Sequence, residues 1–235
     1  MGVNMEFNKA QQEAVDHVNG PMMVLAGPGS GKTRVITYRT KVLIDKGVRP
    51  NNILVVTFTK AAADEMKRRF LRILNTSSTE VTFGTFHSVF FRMIRLAYGY
   101  SGKDIIREEE KNEFFKKQIK SYRIETEDEN ELAQSLILEI SNIKNEQISI
   151  SNYYSINCPE LTFRTIYNNY ERWLRESNKI DFDDMLIFCY ELLEARSDIL
   201  KMWQNKFQYI LVDEFQDTNH LQYKIIKLLA SPRNN

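Results

Sequence analysis

Three short stretches carry residues whose types and spacing could do chemistry. Ala26-Gly27-Pro28-Gly29-Ser30-Gly31-Lys32-Thr33 fits a phosphate-binding loop of the Walker A type, with Ala26 where the strict pattern has its first glycine. Glycines at this spacing let backbone N–H groups turn inward around phosphate oxygens. The helix that follows adds the positive end of its dipole. Lys32 would reach the β- and γ-phosphates of ATP, and the Thr33 hydroxyl would bind Mg²⁺. The second stretch, Ile210-Leu211-Val212-Asp213-Glu214-Phe215-Gln216-Asp217, is an apolar run that ends in acids, as a Walker B site needs. Asp213 would hold Mg²⁺ through its water shell, and Glu214 would orient and deprotonate an attacking water. The third stretch is Asp181, Asp183 and Asp184. It invites a second metal site, but it stands just before an apolar helical run, where carboxylates cap N–H groups and favour the dipole.

These residues need particular elements to hold them. The apolar run 22–26 reads as a buried parallel strand leading into the phosphate loop. A helix over 31–45 follows, ended by Gly47 and Pro50. Residues 53–58 read as a second strand, 61–74 as a helix, 81–85 as a shorter strand and 88–97 as a helix. Strand–helix alternation of this kind implies a parallel sheet with helices on its faces. From about 98 to 179 no buried strand is visible, and helical spacing runs through 108–122, 130–145 and 161–177. Near Asp181 the alternation resumes, with a helix to about 194, a strand over 209–213 and a helix over 221–230. Lys32 and Asp213 therefore lie far apart in sequence, although a parallel crossover needs only a dozen or so residues. The helical stretch between them reads as an insertion.

Charge is uneven along the chain. The net formal charge is +1, yet residues 1–100 carry +7 while residues 101–180 and 181–235 each carry −3. A local positive field on the first third could serve phosphates. Lys67, Arg68, Arg69 and Arg72 also fit a solvated helix face. No apolar run approaches the roughly 20 residues of a membrane span. The two cysteines, Cys158 and Cys189, form no C-x-x-C pair, which argues against a disulfide framework or zinc site and fits a reducing cytoplasm. His17, His220, Trp173, Trp203 and the Tyr153-Tyr154 pair have no partner pattern and read as structural or surface residues.

Five motifs in order resemble those of the UvrD/PcrA/Rep group of superfamily 1 DNA helicases. Phe7-Asn8-x-x-Gln11-x-x-Ala14-Val15 is similar to their Q motif, and the loop 26–33 to Walker A. The run from Thr57-Phe58-Thr59-Lys60 to Glu65-Met66 resembles motif Ia, Gly84-Thr85-Phe86-His87-Ser88 motif Ib, and Asp213 to Asn219 motif II. The segment 180–185 resembles the return from their inserted subdomain 1B to motor domain 1A. The resemblance spans about residues 7–230. It implies an α/β fold: a RecA-like P-loop NTPase domain with a parallel sheet (1–97 and 181–235), interrupted by a mostly helical inserted subdomain (98–180). By resemblance Gln11 would hydrogen-bond the adenine edge and Arg34 would pack on the adenine ring. Phe58, Thr59, Gly84, Thr85 and His87 would line a single-stranded DNA path. Aromatic faces stack on bases without reading sequence. The same residues also have structural readings: Phe58 in the core, His87 at a helix start, Gln11 on the surface of the first helix. One departure is that Lys60 stands where motif Ia has an asparagine, and Ala61 where it has a lysine.

The resemblance implies ATP and Mg²⁺ as cofactors and single-stranded DNA and duplex/single-strand junctions as partners. It implies 3′ to 5′ translocation by the parent protein, and a continuation beyond this chain into motif III and a second RecA-like domain that brings arginines to the γ-phosphate. A motor subunit of a RecB/AddA-type recombination nuclease shares these motifs, but usually has a longer insertion. A non-motor ATP-dependent DNA clamp is the alternative from another class.

Overall fold

Ile53–Thr57 forms β1, and all five of its residues are buried. Such a run needs cover on both faces, which is the position of a central parallel strand. The computed structural model describes residues 7–235. In it β1 pairs in parallel with β2 (Thr82–Thr85) on one side and β3 (Tyr209–Val212) on the other, giving the order β2-β1-β3.

The chain divides into two compact units. The first holds the sheet and comprises residues up to 89, 193–218 and 223–235. Its helices include α1 (Lys9–Asp16), α2 (Lys32–Asp45) and α3 (Lys60–Leu74). Leu43 of α2 and Met66 and Phe70 of α3 pack on Ile53, Val55, Val81 and Leu211 of the sheet layer. The caps follow from local chemistry. Thr59 accepts from the Ala62 N–H to start α3, and Asn75 ends it in the left-handed conformation. The guanidinium of Arg39, on α2, donates to the carbonyls of Ala14 and His17 and so holds the end of α1.

Helix α4 (Phe86–Tyr98) begins in this unit and runs into the second, which comprises residues 90–192 and 219–222. The second unit contains α5 (Glu108–Ser121), α6 (Glu129–Glu146), α7 (Glu160–Glu176) and most of α8 (Phe182–Ala195). Phe115, Leu136, Ile140, Phe163, Ile166 and Tyr170 sit at its core. The chain entering and leaving α5–α7 is joined by a parallel bridge, with Ile106 N–H donating to the Ile180 carbonyl at 2.9 Å and Ile180 N–H to the Asp104 carbonyl at 2.8 Å. No helix among the described residues is long and apolar enough to cross a membrane.

Two features differ from the expectations. The run 22–26 forms no strand: Met23 is 72% exposed and Leu25 86%. An apolar run becomes a buried strand only where a neighbouring strand takes its backbone groups, and none of the three sheet strands pairs with this run. A helix not anticipated, α9 (Ser197–Lys206), precedes β3. Asn52 fixes this junction, since its side-chain amide donates to the carbonyls of Asn205 and Lys206 and its own carbonyl accepts from Gln208 N–H. The last helix is α10 (His220–Ala230).

Candidate functional site

Gly29 and Gly31 both have positive φ, 73° and 87°, so the phosphate loop follows a path that side-chain-bearing residues avoid. A Cβ on Gly31 would also lie 3.3 Å from Gln11 Nε2. Ser30 N–H closes a turn onto the Gly27 carbonyl at 3.3 Å. Pro28 and Ser30 are exposed at the mouth of the loop, and Ala26 and Thr33 half-buried at its two ends. Gly31 is the N-cap of α2, which therefore points its free N–H groups at the loop. The Lys32 ammonium bends back to the carbonyls of Ala26, at 3.2 Å, and Gly27, at 3.4 Å.

Gln11 is bound into this loop. Its Nε2 donates to the Ser30 carbonyl at 2.9 Å, while its Oε1 accepts from Asn8 N–H as part of the cap of α1. The Arg34 guanidinium lies 4.3 Å from the centre of the Phe7 ring, whose edge meets Tyr38. Both motif residues therefore sit beside the phosphate loop, with protein partners of their own.

Asp213 follows β3 directly, and its N–H donates to the Val56 carbonyl at 2.9 Å. Burial pushes its carboxyl above the usual range, and the adjacent Glu214 adds to this. Lys32 and the Thr57 side chain work the other way. The Lys32 effect puts the phosphate-loop cation within electrostatic reach of the Walker B acid. Glu214 has φ 51°, an uncommon backbone state for a non-glycine residue, and its Oε2 accepts from Gln216 Nε2 at 2.7 Å. The adjacent carboxylates of Asp213 and Glu214 give this end of β3 an excess of negative charge. Hard oxygen donors with that excess suit a magnesium ion. Asp213 and Thr33 are the residues that would hold it.

The remaining candidates leave the same end of the sheet. Thr57 pairs with Thr85 in register, so Phe58 and Thr59 emerge beside Phe86 and His87. Ligands of open parallel sheets bind outside the carboxyl ends of the strands. The Phe58 ring meets the buried Phe86 ring at 5.3 Å, so part of it serves packing. The Thr59 hydroxyl is used as the cap of α3, and the Thr85 hydroxyl accepts from Ser88 N–H at the start of α4. A Cβ on Gly84 would lie 2.7 Å from Ser88 Oγ, so this glycine permits close helix–strand packing. His87 is half-buried.

A family model described as UvrD/REP helicase N-terminal domain matches residues 7–235. The chain belongs to this family. It is 38% identical over 240 residues to YjcD of Bacillus subtilis (strain 168), covering 97% of this chain and 31% of that protein. It is 38% identical over 241 residues to the ATP-dependent DNA helicase PcrA of Staphylococcus aureus (strain Mu50), covering 97% of this chain and 32% of PcrA. This UvrD/REP N-terminal domain thus spans about a third of the length of the curated relatives it matches.

Reading the sequence missed three site features of the UvrD/REP domain. Thr57 opened the motif Ia resemblance but was given no role of its own. Gln216 supports Glu214 from two residues away. Asp181, Asp183 and Asp184 do more than cap a helix. Asp181 and Asp184 exchange backbone-to-carboxylate hydrogen bonds at the start of α8, and both also bind the buried Lys144 ammonium, at 3.0 and 2.7 Å. Asp183 accepts from Ser141 Oγ and Asn145 Nδ2. These acids are taken up by a cation and amide groups within the second unit.

Proposed function

We propose that this chain is the ATP-binding part of an ATP-dependent DNA helicase. The observation that carries this is a glycine loop with Gly29 and Gly31 at positive φ that ends as the N-cap of α2, in a chain whose Phe58, His87 and Asp213 leave one end of the sheet. Lys32 and the α2 N-terminus would bind the phosphates, and Thr33 and Asp213 would hold Mg²⁺, which supplies charge to the phosphoryl oxygens when bound. Glu214 would take a proton from the attacking water, and Gln216 would hold its carboxylate in place. Gln11 and Arg34 would meet the adenine by exchanging their present partners, Ser30 and Phe7. Phe58, Thr59, Gly84, Thr85 and His87 would form one wall of a track for single-stranded DNA.

The names of the relatives and the order of the motifs support this reading. On this reading the chain would divide into a RecA-like domain, 1–97 with 181–235, and a helical insertion, 98–180. The whole protein would add a second RecA-like domain, work in the cytoplasm, move 3′ to 5′ and separate strands at duplex/single-strand junctions. The test is ATP hydrolysis by the full-length parent with and without single-stranded DNA, alongside unwinding of duplexes with a 3′ or a 5′ tail. Stimulated hydrolysis with unwinding from the 3′ tail is expected. Hydrolysis that ignores DNA would overturn the reading.

A further inference from the structure

Helix α4 gives way at Gly99, whose φ of 79° turns the chain so that Tyr98 and Tyr100 line one cavity of about 400 Å³ together with Phe188 of α8. The Gly99 N–H closes the helix on the Arg95 carbonyl at 3.0 Å. The Tyr100 ring centre lies 6.2 Å from each of the other two, edge to face with Tyr98 and parallel to Phe188. Two carboxylates share the lining, those of Asp104 and Glu191. All five side chains belong to the second unit.

Asp104 is fixed in place, because the Ser101 N–H and hydroxyl both donate to its Oδ2, at 2.7 and 2.9 Å. These bonds hold its carboxyl below the ordinary range, and Lys179 and Lys103 add to this through space. The Lys179 ammonium is itself turned to the Lys103 carbonyl. Glu191 is exposed. Among the described residues no cation forms an ion pair with either acid.

Three rings and two acids on one cavity suit a cation. Ring faces attract positive charge, and the carboxylates add to it. They repel phosphate, so the cavity is no extension of the nucleotide site or of a DNA track. A guanidinium fits better than an ammonium. It is flat, it stacks on aromatic faces, it offers a fork of donors to carboxylates, and it is less strongly hydrated. The cavity is open, with Tyr98 54% exposed. A small free cation would keep its water there, whereas a protein segment brings the surface that excludes water around its arginine.

We propose that this cavity is a docking site for an arginine side chain of a protein partner, held against the Tyr98, Tyr100 and Phe188 rings and paired with Asp104 and Glu191. The site is separate from the proposed nucleotide chemistry and stands or falls without it.

The test is an anisotropy titration of the full-length parent with a fluorescein-labelled pentapeptide, Gly-Ser-Arg-Ser-Gly. It is run at about 0.15 M salt, where distant exposed charges are screened. The peptide should bind. Citrulline in place of its arginine keeps the flat shape, removes the charge and should abolish binding, and lysine there should bind more weakly. Glu191→Gln and Tyr100→Leu should each weaken binding by about 2- to 5-fold, the size of one exposed ion-pair or cation–ring contact. Tyr100→Phe, which keeps the ring, should bind like the parent. DNA-stimulated ATP hydrolysis should be the same in all three variants. No binding of the arginine peptide, or equal binding of the citrulline one, overturns the proposal. So does unchanged affinity in Glu191→Gln, an exposed site whose variant decides the matter even if Tyr100→Leu melts early. Free spermidine that displaces the peptide at a lower concentration than unlabelled peptide does would make this a site for a free amine, and would overturn the protein partner.

Discussion

The Lys32 ammonium lies 3.2 Å from the carbonyl oxygen of Ala26, so the lysine is folded across the loop it belongs to. Neutral carbonyls are weak partners for an ammonium. Phosphate oxygens would replace them with acceptors of opposite charge, in bonds each worth about 1.5–3 kcal/mol. Lys32→Ala should therefore weaken binding of a fluorescent ATP analogue by at least about 10-fold. Equal affinity of the variant and the unaltered chain in an equilibrium titration would remove Lys32 from the phosphate site.

Glu214 is held in a left-handed backbone state with its carboxylate on Gln216. A base acts mainly in the transition state, so its loss should spare the ground-state complex. Glu214→Gln in the full-length parent should keep ATP affinity and lower kcat by at least about 100-fold. Single-turnover hydrolysis is the measurement, and a kcat close to that of the parent would mean that another group takes the proton.

Phe58 is divided between two tasks, since one edge packs on Phe86 and the residue stays half-exposed. Phe58→Ala loses both, whereas Phe58→Leu keeps apolar packing and loses the flat face. Stacking on a base is worth about 1–3 kcal/mol, and both variants should lose that much affinity for single-stranded DNA in an anisotropy titration. Should only the alanine variant weaken, packing is the whole role of Phe58.

Much of the site could be read from the sequence because it is made of local signals. The glycines of the loop, the acids closing β3 and the apolar run of β1 each announce their geometry within a few residues. The run 22–26 failed for the opposite reason. Its composition is that of a strand, but its state depends on a partner strand, and residues 53–57 found theirs in β2 and β3. Gln11 is similar. Resemblance to the Q motif implied adenine, while its present bond to Ser30 depends on how α1 lies against α2. The acids near the start of α8 announced a helix cap, which is local. Their pairing with Lys144 on α6 is a long-range contact that no pattern around residue 144 encodes.

That pairing gives the last prediction. Lys144 is almost wholly buried and contacts Asp181, Asp184 and, at 2.8 Å, Glu171. Lys111 stands 3.7 Å from Asp181, and the Tyr170 hydroxyl donates to Asp181 at 2.9 Å. Burial alone would raise the Asp181 carboxyl, but Lys144 and Lys111 outweigh it and hold the group low, at about 2. Burial and the neighbouring Asp181 charge raise Asp184 to about 7, against the pull of Lys144. The two shifts act at opposite ends of the pH scale. Asp181 gives stability above its unfolded value near 4, and this is lost as pH falls toward 2. Asp184 gives stability that is full below pH 4 and is lost as pH rises through about 7. Between pH 5 and 8 the Asp184 contribution therefore favours the acid side. Urea melts should show a smaller advantage of pH 5 over pH 8 for Asp184→Asn than for the unaltered chain. Lys144→Met removes the cation shared by Asp181, Asp184 and the partly exposed Glu171, and leaves Lys111 beside Asp181. Breaking a buried pair in this way costs about 3–5 kcal/mol. The loss should be greater at pH 8, where the acids must carry charge, than at pH 5, where a proton can take the place of the lysine. A Lys144→Met penalty that is the same at both values would mean that the acids do not titrate as a group around Lys144.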